Sequence, residues 1–121
     1  MPKINDTFFE SKEIIGILRE IDSKPELTQR KLSSDLGISL GKVNFLLRTL
    51  IDKGIVKVSH FRKSDNRVAC LYDLTSEGVQ AKRQITSRYL EKKMQEYKEL
   101  GKEIKQLKKE VNAAISSKNH S

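Results

Sequence analysis

Between Ser39 and Arg67 the chain gathers side chains that bind anions and read hydrogen-bonding edges. Seven cations fall in that stretch (Lys42, Arg48, Lys53, Lys57, Arg62, Lys63 and Arg67) against two acids, Asp52 and Asp65. Residues 1–38, by contrast, carry six basic and seven acidic side chains. Such a local basic excess suits contact with phosphate, which dominates affinity for nucleic acid. Ser39, Asn44 and Thr49 add a hydroxyl, an amide and a second hydroxyl among the cations, groups that bond phosphate oxygens or base edges. Other chemistry is poorly provided for. The chain has two histidines, His60 and His120, and one cysteine, Cys70. No metal-ligand spacing, nucleophile–base pair or phosphate-cradling glycine loop is present. An enzyme is therefore not expected, nor a cofactor, nor a bound metal. Cys70 has no second thiol and sits in an apolar stretch, so it reads as a small buried apolar residue. His60 is either a phosphate contact or an ordinary exposed histidine.

These residues need elements to hold them. Ile14, Ile15, Leu18 and Ile21, preceded by Phe8 and Phe9, have helical spacing. The spacing predicts a helix from about Phe8 to Ser23, stopped before Pro25. Thr28 then caps a second, short helix with Leu32 and Leu36 facing inward, ended by Gly37 in the left-handed conformation. Ser39 caps a third, running to about Lys53 and stopped by Gly54. Its apolar face is Val43, Leu46, Leu47, Leu50 and Ile51, which leaves Gly41, Lys42, Asn44, Phe45, Arg48 and Thr49 opposite or beside it. Helix, glycine turn and second helix make a helix-turn-helix, whose second helix enters the major groove of DNA.

Each outward residue has a specific reading and a plain one. Arg48 is a guanine reader, a phosphate contact or a solvated arginine. Asn44 pairs with adenine or faces water. Lys42 is a phosphate clamp. Ser39 is first a cap and second a phosphate ligand. Phe45 either packs on a neighbouring element or meets a thymine methyl, and Gly41 would let the helix approach the groove closely.

After Gly54 the periodicity changes. Val56 and Val58 alternate with Lys57 and Ser59 towards Phe61, and Val68–Leu74 returns, across a polar turn at residues 62–67. This predicts a β-hairpin whose tip carries Arg62, Lys63 and Arg67, suited to the narrow, electronegative minor groove. Thr75 caps a last helix, with Glu77 in its first turn where the helix dipole favours an acid.

That last helix is predicted to run from about Ser76 to Ile115. Leu90, Tyr97, Ile104 and Val111 recur every seven residues, with Lys93, Leu100, Leu107 and Ala114 three positions later. These are the a and d positions of a coiled coil. Glu96, Glu103 and Glu110 occupy g, and Lys108 occupies e, so a parallel pair has a Glu103–Lys108 contact available. Lys93 at d and Gly101 at e weaken the seam. An apolar stripe on a helix this long predicts a homodimer through Leu90, Tyr97, Leu100, Ile104, Leu107 and Val111.

The run from Leu27 to Gly78 resembles the MarR family of bacterial transcription regulators. The segments that carry the likeness are LTQRKLSSDLGISLGKVNFLLRTLIDKGIVKV, then SDNR, then YDLTSEG. The resemblance implies a winged helix-turn-helix. It also implies a wing in which Arg67 reaches DNA and Asp65 braces the loop, and a following helix opened by Leu74, Thr75 and Gly78. ISLGKVNFLL and EYKELGKEIKQL are further similar to an exopolysaccharide-associated subgroup, which implies control of polysaccharide-biosynthesis genes. The chain differs from typical members at its ends, where a long N-terminal helical extension and a second C-terminal helix build the usual dimer and ligand pocket. A small-molecule effector is doubtful on that ground.

The expected architecture is mainly helical with a small β-hairpin: a winged helix-turn-helix over residues 1–75, a long coiled-coil dimerisation helix over 76–115 and a disordered tail over 116–121. No apolar run approaches bilayer length and the N-terminus lacks a secretory layout, so a cytoplasmic protein is expected. The expected function is a DNA-binding transcription regulator acting as a homodimer on a pseudo-palindromic site. The alternative is a winged-helix interaction module that docks another chain through its coiled coil. RNA binding is disfavoured because no aromatic stacking platform is present.

Overall fold

The computed structural model describes residues 7–24, 27–64 and 67–119. The chain divides into two compact units, residues 1–89 and 90–121.

The first unit opens with a 3₁₀ turn at Thr7–Glu10, followed by α1 at Lys12–Ser23. The single helix expected from Phe8 is thus interrupted at Ser11, whose hydroxyl accepts from the Ile14 backbone N–H at 3.2 Å. A serine that can take an orphan donor starts a new helix more readily than it continues an old one. The turn tucks Phe9 into the core, with Phe8 packed edge-on against it at 5.1 Å.

Helix α2 spans Gln29–Leu36 and α3 spans Leu40–Asp52. Thr28 and Ser39 are their N-caps, each accepting a backbone N–H three residues on. Gly37 ends α2 at φ +67°, and the Gly37 and Ile38 N–H groups both return to the Ser33 carbonyl. The Ser33 hydroxyl donates to the Ile38 carbonyl at 2.6 Å. This places a left-handed residue at the end of α2 and leaves three residues, 37–39, to turn the chain into α3. Ile14, Ile17, Leu18, Leu32, Val43, Leu47 and Leu50 interlock in the core between the three helices.

Strands β1 (Val56–Ser64) and β2 (Arg67–Leu74) form an antiparallel hairpin. Pairing continues to Ser64↔Arg67. The polar turn expected over 62–67 is therefore shorter, and most of its residues belong to the strands. Polar composition signalled a loop there, but backbone ladder bonds need no apolar side chain and the pairing runs on. One irregularity lies between Val58 and His60, where the Ser59 hydroxyl donates to the Leu71 carbonyl at 3.1 Å. Leu27 bridges Tyr72 on the other side of β2 and ties the hairpin to the start of α2.

Helix α4 runs Ser76–Asn119, four residues beyond the end expected at Ile115. Its first turns belong to the first unit, with Ala81 and Ile85 buried in the core. Thr75 opens it by accepting the Gly78 N–H at 2.8 Å and donating its hydroxyl to the Gly54 carbonyl at 2.6 Å. The Thr75 N–H donates to the Ile55 carbonyl at 3.0 Å. The helix start is thereby fastened to the end of α3, and a Cβ at Gly78 would overlap the Ile55 carbonyl oxygen. Glu77's carboxyl is held below its ordinary value by a hydrogen bond from its own backbone N–H, helped by the Ser76 hydroxyl.

The second unit contains the remainder of α4. All of residues 90–116 are exposed within the single chain. Leu90, Met94, Tyr97, Leu100, Ile104, Leu107, Val111 and Ile115 are its exposed large apolar side chains, and Tyr97 is 80% exposed. Among the described residues, no helix is long and apolar enough to cross a membrane.

Candidate nucleic-acid interface

The outer face of α3 is laid out by the same wheel that builds the core. Val43, Leu46, Leu47 and Leu50 are buried, while Ser39, Gly41, Lys42, Phe45 and Arg48 are exposed. Phe45 is 64% exposed. Most of its ring is open to solvent in the single chain. Folding is not what keeps an aromatic ring in water on a helix whose other face already fills the core.

The predicted residues differ in what they have free to offer. The Ser39 hydroxyl is engaged as the α3 cap, accepting the Lys42 N–H at 3.1 Å. Lys42 places its ammonium 3.7 Å from the Glu13 carboxylate of α1, a loose and half-exposed pair that leaves the cation accessible. Such surface pairs contribute little and exchange easily for a phosphate. Among the described residues nothing comes within 4 Å of a Cβ built on Gly41. The Thr49 hydroxyl donates back to the Phe45 carbonyl at 2.9 Å, which leaves it only as an acceptor for other partners.

Asn44 sits at the edge of this face, half-buried, and is not a free amide. Its Nδ2 donates to Gln29 Oε1 at 3.3 Å, and Gln29 Nε2 donates to the Tyr72 hydroxyl at 2.8 Å. Tyr72 is only 6% exposed. Burial pushes its phenol above the ordinary value, against the opposing pull of the Gln29 hydrogen bond. Three elements (α3, the first residue of α2, and β2) thus meet in one chain of polar contacts. Sequence reasoning missed Gln29 and Tyr72. The only sequence signal was a long amide directly after the Thr28 cap, and nothing in it announced a partner 15 or 43 residues away.

In the hairpin, Lys63 is exposed and Phe61, which was not singled out as a contact residue, is 66% exposed. His60 is exposed, with its Nδ1 3.1 Å from the Ser59 hydroxyl. The side chains of Arg62 and Arg67, and the predicted Asp65 brace, lie outside the described residues. Among the described residues no group of three His, Cys, Asp or Glu side chains is arranged to hold a metal ion. Cys70 is partly buried against the core.

A three-helix unit with a glycine turn, an exposed third helix and an antiparallel hairpin directly behind it defines the architecture. The fold is a winged helix-turn-helix. A family model described as winged helix-turn-helix DNA-binding matches residues 14–57, from α1 into β1. Solved structures share the arrangement. A mutant of ZitR from Lactococcus lactis superposes with a TM-score of 0.55 at 24% identity, covering 97% of this chain and 77% of that one. MepR, a transcription regulator of a Staphylococcus aureus multidrug efflux pump, gives 0.53 at 23% identity, covering 88% and 78%. A MarR transcriptional regulator from Methanosarcina mazei gives 0.51 at 20% identity, covering 74% and 71%. No curated protein sequence matches. In winged-helix terms α3 is the second helix of the helix-turn-helix and β1–β2 the wing.

Proposed function

We propose that this chain is a sequence-specific double-stranded DNA-binding transcription regulator that acts as a homodimer. The observation that carries the proposal is the open outer face of α3, where Gly41, Phe45 and Arg48 are exposed beside Lys42. In this proposal the recognition helix, about residues 39–53, lies in the major groove. Arg48 and Asn44 meet base edges, Phe45 meets a thymine methyl, and Lys42 and the N-terminal end of the helix near Ser39 hold phosphate. The wing, residues 61–67, lies against the adjacent minor groove with Arg62, Lys63 and Arg67.

The homodimer uses the α4 seam of Leu90, Tyr97, Leu100, Ile104, Leu107 and Val111 in a parallel pair. That orientation sets the acids Glu96, Glu103 and Glu110 of one copy towards the e positions of the other, including Lys108. The antiparallel pair would set acid against acid. Two copies present two recognition helices to a pseudo-palindromic site. The fold shared with MepR, a transcription regulator of a multidrug efflux pump, supports the regulatory role. The exopolysaccharide-associated resemblance of ISLGKVNFLL and EYKELGKEIKQL makes exopolysaccharide-biosynthesis genes the proposed targets.

The test is a selection from random duplexes with the full chain, followed by fluorescence anisotropy on the recovered site and on a scrambled duplex. A two-half-site sequence bound by two chains, and lost on Arg48→Ala, is the expected outcome. Failure to enrich any sequence would overturn the proposal, and the exposed α4 stripe would then mark a docking module for another chain.

A further inference from the structure

A side-chain amide reads adenine only when its plane is set. The adenine edge in the major groove offers an acceptor, N7, beside a donor, N6–H, and asparagine matches it with one N–H and its Oδ1. The terminal torsion of asparagine is broad, so a free Asn44 would sample many planes and lose rotational freedom on binding. Asn44 is not free. Its Nδ2, which carries two hydrogens, spends one on Gln29 Oε1 at 3.3 Å. One N–H and Oδ1 are left for the adenine edge. Gln29 is itself fixed by donating to the Tyr72 hydroxyl at 2.8 Å, and Tyr72 is anchored in the core and in the wing ladder opposite Val58.

We infer that Gln29 and Tyr72 are positioning residues that hold the Asn44 amide in the plane that reads an adenine, so that one base preference depends on residues outside the recognition helix. Gln29 stands at the start of α2 and presents its acceptor to Asn44 of α3. The inference rests on the DNA-binding reading proposed above and adds to it the base and the relay that selects it.

The relay has a chemical signature. Glutamate at position 29 can only accept. It would still take the Asn44 N–H and would now accept the Tyr72 O–H, so the chain of contacts survives with one bond reversed. Alanine at 29 breaks both contacts, and phenylalanine at 72 removes the anchor while keeping the buried ring.

The experiment selects preferred sites from random duplexes with the wild-type chain and with Asn44→Ala, Gln29→Ala, Gln29→Glu and Tyr72→Phe, each confirmed folded by circular dichroism. The readout is the base preference at every position, which does not depend on how much of each variant is active. The wild type is expected to prefer adenine on the order of tenfold at one position per half-site, in keeping with one bidentate contact. Asn44→Ala, Gln29→Ala and Tyr72→Phe should flatten that position and leave the others. Gln29→Glu should retain it while its added charge weakens binding to all sequences alike. The relay is overturned if Gln29→Ala keeps the adenine preference, or if it erodes every position equally, as a merely structural role would; in both cases DNA reading survives. If the wild type enriches no site, the DNA-binding proposal fails and the relay fails with it.

Discussion

Two glycines with opposite surroundings show what single residues contribute. A methyl group at Gly78 would overlap the carbonyl oxygen of Ile55, part of the backbone that joins α3 to the wing. Backbone cannot yield as a side-chain tip can, so Gly78→Ala should destabilise the first unit by about 3 kcal/mol, the upper end of overpacking costs. Urea unfolding followed by circular dichroism measures it. At Gly41 the space is empty, and alanine there should stabilise α3 by up to ~1 kcal/mol through helix propensity alone. The same variant should bind DNA more weakly in anisotropy titrations, because the added methyl stands on the face proposed to meet the groove. A stability gain with unchanged affinity would remove Gly41 from the interface. Thr75 and Gly78 were legible in the sequence as a helix opening. The contact with Ile55 was not, because it joins residues that only the fold brings together. The Asn44–Gln29–Tyr72 chain was illegible for the same reason.

Helices were easier to read than the hairpin. Caps at Thr28 and Ser39 and the stop at Gly37 stand where serine, threonine and glycine chemistry put them. The wing turn was misjudged because composition reports solvent exposure, and a two-stranded ribbon with an exposed face is polar for much of its length. Ser11 was overlooked as a cap because Phe8 and Phe9 continue the apolar pattern across it. In the last helix, the seven-residue repeat predicts a coiled-coil seam, and its large apolar side chains are exposed in the single chain. Leu100→Lys together with Leu107→Lys places charge on it without touching the core of the first unit. The double variant should keep the thermal midpoint of that unit and sediment as a monomer. Its DNA affinity should fall by at least ~10-fold, as the second half-site loses its tethered partner. A variant that remains dimeric would move the seam elsewhere.

Across the whole molecule the balance is +8, and residues 39–67 hold a share of it far above their length. Counterion release turns this into a measurable slope. If Lys42, Arg62, Lys63 and Arg67 each neutralise one phosphate in both copies, the logarithm of the binding constant should fall with the logarithm of salt at a slope of roughly −7. Lys63→Ala should reduce that slope by roughly 2 and weaken all sequences alike. Arg48→Ala should change sequence preference more than slope if it reads a base. A wild-type slope near −2 would mean that the wing cations stay in solvent.

Two exposed aromatic positions, one on α3 and one on α4, also have an optical consequence. The chain contains no tryptophan, so one introduced indole would be the sole emitter excited at long ultraviolet wavelengths. Phe45 and Tyr97 project into water from α3 and α4 with aromatic rings already in place. Phe45→Trp should emit as a solvated indole and shift to the blue, or quench against bases, when duplex is added. If the proposed dimer forms, Tyr97→Trp should ignore duplex and shift to the red as the protein is diluted below its pairing concentration. One protein with two substitutable beacons would let the order of pairing and DNA capture be followed by colour in a stopped-flow cell.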